Sequence, residues 1–272
     1  ANITRWRAEA TPGLDYWITA ADSPAQILQN YISASGHPPD CPDWVTGFWQ
    51  SKLRYRTQQE IINVARAYQQ RGLPLSCIVI DFFAWTKQGE WEFDPDEWPD
   101  PERLVRELDE MGVKTIVSIW PTVGANSKYY AEMREKGYLV QTERGIPAVI
   151  QFPDKDPFGV HFLTYYDAFN PDARDFHWDK AKRNYFDRGI HNFWLDACEP
   201  EMRPAHAEHV RTHLGNGAEM LCAYPLLHAQ RYAEGLTEAG AEDAVLLCRS
   251  TWAGGQRYPV ILWSGDVWAT WE

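Results

Sequence analysis

The sequence predicts an α/β fold with a parallel sheet, and within that class a (β/α)8 barrel of which about six strands lie in this chain. Three observations carry the prediction. Apolar runs rich in β-branched residues alternate with helix-like segments of about 10–15 residues, as βαβ units do. The runs are nearly continuous in their apolar character, which suits strands buried on both faces. Almost every run ends in a polar or aromatic residue, namely Gln50, Asp81, Trp120-Pro121, Asp196, Arg249-Ser250 and Asp266. Barrel enzymes place their chemistry at strand C-termini, whereas a doubly wound open sheet, the alternative, makes no such demand of every strand.

Each element has a local reason. Ser23-Pro24 opens a helix to Ser35, and Gly36-His37-Pro38-Pro39 breaks the regularity after it. Residues 45–49 are a short strand candidate. Thr57 opens a helix with Ile61, Ile62, Val64, Ala65 and Tyr68 as its apolar positions. Residues 75–83 form the second strand, ending at Asp81. Asp100-Pro101 starts the next helix, with Leu104, Val105, Leu108 and Met111 on one face and Pro at a favoured first position. Residues 113–120 are the third strand, and 126–136 a helix closed by Gly137. An irregular stretch, about 138–165, carries Gly145-Ile146-Pro147, Pro153 and Pro157. A helix from Pro171 to Arg188, stopped by Gly189, leads to the fourth strand at 192–197. Residues 203–219 are a loop or helical excursion, 224–239 a helix, and 244–250 and 260–264 the last two strands. The domain reading is a lead-in over 1–43 and a partial barrel over 44–272 with a small insertion at about 138–165. A closed barrel needs two further strands, so the chain reads as truncated.

Composition narrows the function. The chain has 272 residues, 44% hydrophobic and 24% charged, which is globular. Its net charge of −12 disfavours nucleic acid or an anionic membrane as partner, since both want a basic face. No apolar run reaches the roughly 18 residues of a membrane span. Fourteen Trp and thirteen Tyr are a heavy load of flat amphipathic rings. Core packing takes some of them; a pocket for an uncharged ligand with C–H faces, such as a sugar, takes others. The five Cys are widely spaced with no C-x-x-C pair, so a disulfide framework is not expected. Cys77 and Cys248 sit in apolar runs as small core residues.

Two carboxylates stand out as chemistry. Asp196 and Asp266 end apolar runs, each with a Trp within three residues. Paired carboxylates are what glycosidic cleavage needs: one attacks the anomeric carbon, the other gives a proton to the leaving oxygen. Either residue alone could instead cap the next helix. Asp81 is a third strand-end acid, fitted to accept from sugar hydroxyls. Arg249 follows an apolar run directly and would stand as a fixed cation among carboxylates. Trp49, Phe82, Trp120, Trp194 and Trp263 are the strand-end aromatics and together suggest a sugar platform. His206, His209 and His213 at i, i+3, i+7 would share one helical face, and a solvated face is the plainer reading than a metal site. Gly215-Asn216-Gly217 lacks the third glycine of a dinucleotide fingerprint.

Trp194-Leu195-Asp196-Ala197-Cys198-Glu199-Pro200 resembles the W-x-D-x-x-E-P signature of glycoside hydrolase family 31. The run from Arg249 to Tyr258, followed by Trp263-Ser264-Gly265-Asp266, is similar to that family's second signature. Gly47-Phe48-Trp49-Gln50-Ser51 resembles its first barrel strand. The resemblance implies a retaining α-glycosidase with a (β/α)8 domain and no metal or organic cofactor. Asp196 would be the nucleophile and Asp266 the general acid/base. Asp81, Trp120, Arg249 and Trp263 would line the subsite of the cleaved sugar, joined by Phe82 and Trp194. The family's substrate-binding His lies on the last two strands, and no His here takes that role. Residues 1–43 would lead in from an N-terminal β-sandwich, and 138–165 matches the family's insertion after the third strand. Gly217-Ala218-Glu219, the 223–227 run and the 253–258 run look most like the α-xylosidase branch. Xylose lacks the 6-hydroxymethyl group, and Phe82 or Phe83 would close the pocket there. An α-glucosidase or α-galactosidase, or an inactive sugar-binding fragment, are the alternatives. The expected partner is an oligosaccharide or glycoside, with neither nucleic acid nor membrane; self-association stays open. Free Cys favour a reducing compartment and xyloglucan-type substrates favour export, which leaves a cytoplasmic or periplasmic location.

Overall fold

The computed structural model of the chain describes residues 3–8, 10–155, 161–202, 206–241, 243–268 and 270–271. Six strands form one sheet in chain order. They are β1 (Trp49–Gln50), β2 (Cys77–Ile80), β3 (Lys114–Ile119), β4 (Asn192–Leu195), β5 (Leu246–Cys248) and β6 (Val260–Leu262). Every neighbouring pair is parallel. A doubly wound sheet reverses its order at a switch point. This order never reverses, so each crossover steps the same way, as in a (β/α)8 barrel.

The principal helices are α1 (Pro24–Ser35), α2 (Gln58–Gln70), α3 (Pro101–Glu110), α4 (Pro171–Asn184) and α5 (Tyr224–Glu238). Ser23, Thr57, Asp100 and Asn170 cap the first four, each side chain accepting from a first-turn N–H. The sheet has two different faces. Ile78, Ile80, Val117, Ile119, Phe193, Leu195 and Leu246 join Ile61 and Ile62 of α2, Leu104 and Leu108 of α3 and Leu236 of α5 in the main core. The alternate residues Cys77, Val79 and Ile116 pack with Trp44, Trp49, Trp194 and Leu247 on the barrel side. The period of two along each strand produces this division.

The differences from expectation lie where runs are short. Val45 falls in a 3-10 turn, Asp43–Thr46, and β1 keeps only Trp49–Gln50. The turn is fixed from both sides: Gly47 N–H returns to Trp44 O, and the Trp49 indole donates to Val45 O at 3.1 Å. The helix expected over 126–136 shrinks to Tyr130–Glu135, because Ser127 Oγ is drawn to Gly89 O at 3.2 Å. The helix α4 stops at Asn184, and a separate 3-10 turn, Phe186–Arg188, precedes the left-handed Gly189.

The irregular stretches contain short strands, and the 203–219 excursion also holds the 3-10 turn Ala207–His209 and the start of the helix Gly217–Met220. Thr122–Gly124 pairs antiparallel with Phe162–Tyr165, which also pairs with Ile150–Gln151. Gln141–Thr142 pairs with Val210–Thr212, which pairs with Gly215–Asn216. The insertion after β3 and the excursion after β4 therefore share a sheet. Pro157, with the rest of 156–160, and 203–205 lie outside the described residues. The single helical face expected for His206, His209 and His213 does not form. His209 ends a 3-10 turn, Val210–Thr212 is extended, and His213 sits in the turn after it. Val210 and Thr212 are buried with Arg211 exposed between them, a strand's alternation that outweighs helical spacing here.

Gly235 of α5 lies against Trp178 of α4, and a Cβ there would overlap the indole. Trp178 has no room to retreat, with Tyr232 at 5.2 Å and Phe193 at 6.1 Å. Gly to Ala within a free helix gains about 1 kcal/mol. Here Gly235→Ala should instead cost about 1–3 kcal/mol through overpacking, read as a lower urea midpoint with an unchanged m-value.

Candidate active site

The residues immediately after β2, β3, β4 and β5 are Asp81, Trp120, Asp196 and Arg249. They continue the barrel-side series of Val79, Ser118, Trp194 and Leu247, so four strands aim polar and aromatic groups at one end of the sheet. Two of the turns that follow are strained. Ala197 has φ 53° and Phe83 φ 63°, a left-handed conformation rare for residues with a Cβ. Strain of this kind collects at functional sites.

Asp196 is 5% exposed. Its Oδ1 makes no hydrogen bond and lies 3.8 Å from Arg249 Nε. Burial pushes the carboxyl above its usual range, Arg249 and the Ala197 N–H pull it back, and Glu199 adds to the rise. The Trp120 indole N–H, itself buried without a hydrogen bond, favours the charged form without closing a bond on it. Asp81 is also buried and is pushed up to about 6, mainly by burial. The Phe82 N–H at 2.8 Å opposes that rise, while the charges of Asp196 and Asp266 reinforce it. Asp266 itself is exposed in the bend after β6, near enough for its charge to act on Asp81.

The expected cation stands between carboxylates, but its hydrogen bonds go to a residue the sequence reading passed over. Arg249 Nε donates to Glu199 Oε1 at 2.6 Å and Nη2 to Oε2 at 2.8 Å. Glu201 Oε1 is 4.0 Å from the same Nη2. In sequence Glu199 stands only as the E of the W-x-D-x-x-E-P run, with no partner or role attached to it.

The aromatics divide into two groups. Trp120 packs against Phe82 at 5.2 Å, Trp85 at 6.0 Å and Phe152 at 5.0 Å. Trp194 lies on the barrel side and meets Trp263 edge to face at 5.3 Å, away from the Trp120 group. No sequence signal marked Phe152, because its place depends on how the insertion docks. Asp154 accepts from the Gln88 N–H at 3.0 Å and the Trp85 indole at 3.4 Å, and Lys155 pairs with Glu97 at 2.8 Å and with Asp94. Between the insertion and the strand ends is a cavity of about 140 Å³ lined by Trp120, Gln151, Phe152, Ala197, Glu201 and Arg249, among others. A wider cavity of about 770 Å³ opens at the opposite end, beside Lys114, Thr115 and Asn192. It touches none of the strand-end acids and lies on the face that barrels use for stability rather than chemistry. Buried carboxylates, a tethered cation and an aromatic wall suit a polyhydroxylated, uncharged ligand. Among the described residues no three His, Cys, Asp or Glu side chains gather to hold a metal ion, and no helix is long and apolar enough to cross a membrane.

Comparison with known proteins gives a consistent picture. The model of the glycosyl hydrolases family 31 TIM-barrel domain matches residues 38–272. An uncharacterized family 31 glucosidase from Pseudescherichia vulneris is 47% identical over 98% of this chain and 49% of its own length. An alpha-xylosidase from Saccharolobus solfataricus is 34% identical over 97% of this chain and 34% of its own length. The chain thus spans about half or less of the curated relatives it matches. The crystal structure of a GH31 alpha-xylosidase from a soil metagenome, complexed with xylose, superposes with a TM-score of 0.87 at 50% identity, covering 93% of this chain and 36% of that one.

Asp81 binds its proton more tightly folded than unfolded, so its ionisation costs stability as pH rises from 3.8 through about 6. Asp81→Asn should therefore be more stable than the parent at about pH 8, by about 1–3 kcal/mol, with the difference gone below about pH 4. Urea unfolding of both proteins across that range checks it.

Proposed function

The chain belongs to glycoside hydrolase family 31, and on that footing we propose that it carries the catalytic centre of a retaining α-glycosidase acting on terminal α-linked xylose. The observation that carries the reading is Asp196: a buried carboxylate with one oxygen unpaired, under an aromatic wall and beside a tethered guanidinium. In the proposed reaction an Asp196 oxygen attacks the anomeric carbon as the bond to the leaving oxygen breaks. Asp266 gives its proton to that oxygen. A covalent glycosyl-enzyme results, with the anomeric configuration inverted once. Asp266, now ionised, takes a proton from water, which attacks the same carbon and frees Asp196, inverting it again. Asp81 accepts hydrogen bonds from hydroxyls of the bound sugar, and Trp120 and Phe82 present apolar surface to its C–H faces. Arg249 keeps positive charge close to Asp196, with Trp194 paired to Trp263 on the barrel side.

Xylose is favoured over glucose by two lines of support. Relatives named alpha-xylosidase occur in both comparisons, the Aspergillus niger enzyme at 35% identity among them. Phe82 is wedged between Phe83 and Trp120 at 4.6 and 5.2 Å, where it can fill the space of a 6-hydroxymethyl group. The second reading, an α-glucosidase, is favoured by the name of the Pseudescherichia relative.

The decisive assay is nitrophenol release from aryl α-xyloside, α-glucoside and α-galactoside, by this chain and by one extended to the length of its relatives. Turnover of the xyloside, abolished in Asp196→Ala, is expected; residual full turnover in that variant rules out the nucleophile. Phe82→Ala should raise the glucoside-to-xyloside ratio of kcat/KM by about tenfold or more, the scale of one or two methylene-sized contacts. An unchanged ratio removes Phe82 from specificity.

A further inference from the structure

We propose that Glu199 is a positioning residue that withholds Arg249 from Asp196, keeping the attacking oxygen free. The inference rests on the reading of Asp196 as nucleophile. A guanidinium beside a carboxylate ordinarily closes onto it in a two-pronged, charge-assisted pair. Such a pair would occupy the oxygen that must attack carbon. In this site the Nε–Nη2 edge of Arg249 is already taken. Glu199 accepts from both atoms, at 2.6 and 2.8 Å, while Asp196 Oδ1 is left at 3.8 Å from the same Nε and has no other bond. The cation is near enough to act on the nucleophile through space and too far to bind it.

The geometry is directional. Glu199 leaves β4 on the same loop as Asp196, three residues on, and Arg249 arrives from β5, the next strand over. Asp196 and Glu199 thus compete for one cation from one loop. Glu199 is the more open of the two, with its side chain 30% exposed against 8% for Asp196. The competition is won by the carboxylate with no chemistry to do. The other charged and titratable groups around Asp196 are Asp81 from β2, whose charge couples to it, and Cys198 on its own loop. Glu201 and Asp266 stand farther out, facing Arg249 and Asp81.

Glu199→Gln removes one charge and puts an amide N–H2 against an arginine donor. Arg249 is then free to close on Asp196. Two effects follow, in opposite senses. The acid limb of kcat/KM moves to lower pH, because Asp196 gains a direct cation and loses an acidic neighbour. The plateau kcat falls by about tenfold to a hundredfold, the scale of losing an outer partner of a functional group. Loss of packing alone would lower the plateau without shifting the limb downward. Glu199→Asp, which keeps the charge on a shorter arm, should restore most of both. A direct reading that needs no turnover is the carboxyl carbon titration of Asp196 by NMR in protein labelled at aspartate. Its midpoint should fall in Glu199→Gln and return towards the parent in Glu199→Asp. A limb and midpoint that stay put in Glu199→Gln overturn the proposal, and so does a midpoint that moves equally in both variants. If neither this chain nor the one extended to the length of its relatives turns over an α-glycoside, the reading of Asp196 as nucleophile fails, whereas the NMR midpoints still report whether Glu199 withholds Arg249.

Discussion

The site depends on a constraint set well below it: four adjacent parallel strands are packed on both faces, fully buried towards the helices and, past Lys114, buried or half-buried towards the barrel. On one face their side chains meet α2, α3 and α5, and on the other they meet each other and a group of tryptophans. Because both faces are filled, no strand can slip by a residue without turning a core side chain into the barrel. Register is therefore fixed from Cys77↔Lys114 through Ile119↔Leu195 to Cys248↔Leu195. The first residue past each strand inherits that register. Asp81, Trp120, Asp196 and Arg249 are set in place by packing done several residues earlier, and their mutual distances follow from strand spacing rather than from loop conformation.

Behind this row stands a second buried layer that is polar and aromatic at once. Trp120 O accepts from the Trp91 indole at 2.8 Å. Trp91 lies edge-on to His177 at 4.3 Å, and His177 stacks on Tyr166 at 4.5 Å. Tyr166 OH meets His228 Nδ1 at 2.6 Å, while Tyr232 OH meets His177 Nδ1 at 3.2 Å. Burial holds both imidazoles neutral, His228 down to about 3, so each can accept a phenol proton. Polar groups buried this deeply stabilise only when bonded, and this layer is bonded on the Nδ1 side of both imidazoles while Nε2 of each has no partner among the described residues. Here the bonds fix the rings that back Trp120, and so restrict where its indole can stand over Asp196.

How much of this the sequence revealed depended on the length of the signal. Asp81, Asp196, Arg249 and the helix caps Ser23, Thr57 and Asp100 were legible, because each is tied to a run long enough to show its period or to a turn chemistry with one reading, whereas Asp266 lies four residues past β6 in an exposed bend and not at a strand end. Val45 was misplaced, since a two-residue strand has no period to detect and a 3-10 turn precedes it. The histidines at 206, 209 and 213 mimicked a helix by spacing alone, while the burial of Val210 and Thr212 decided for a strand. Glu199 was visible as a residue but not as a partner, for a salt bridge across two strands leaves no mark in either. Phe152 had no local signal, because its neighbours come from the docking of a whole insertion through Asp154 and Lys155.

The small sheet that joins Gln141–Thr142 to Val210–Thr212 has an evolutionary consequence. Barrels diversify readily because each loop at the catalytic end is usually an independent module, free to lengthen or be exchanged without disturbing the next. Here the loops after β3 and β4 are stitched by Gln141↔Arg211 and Thr142↔Val210. A βα unit transplanted alone would leave the other loop with an unpaired edge. An exchange of one segment therefore keeps the sheet only if the incoming strand offers the same edge to its partner.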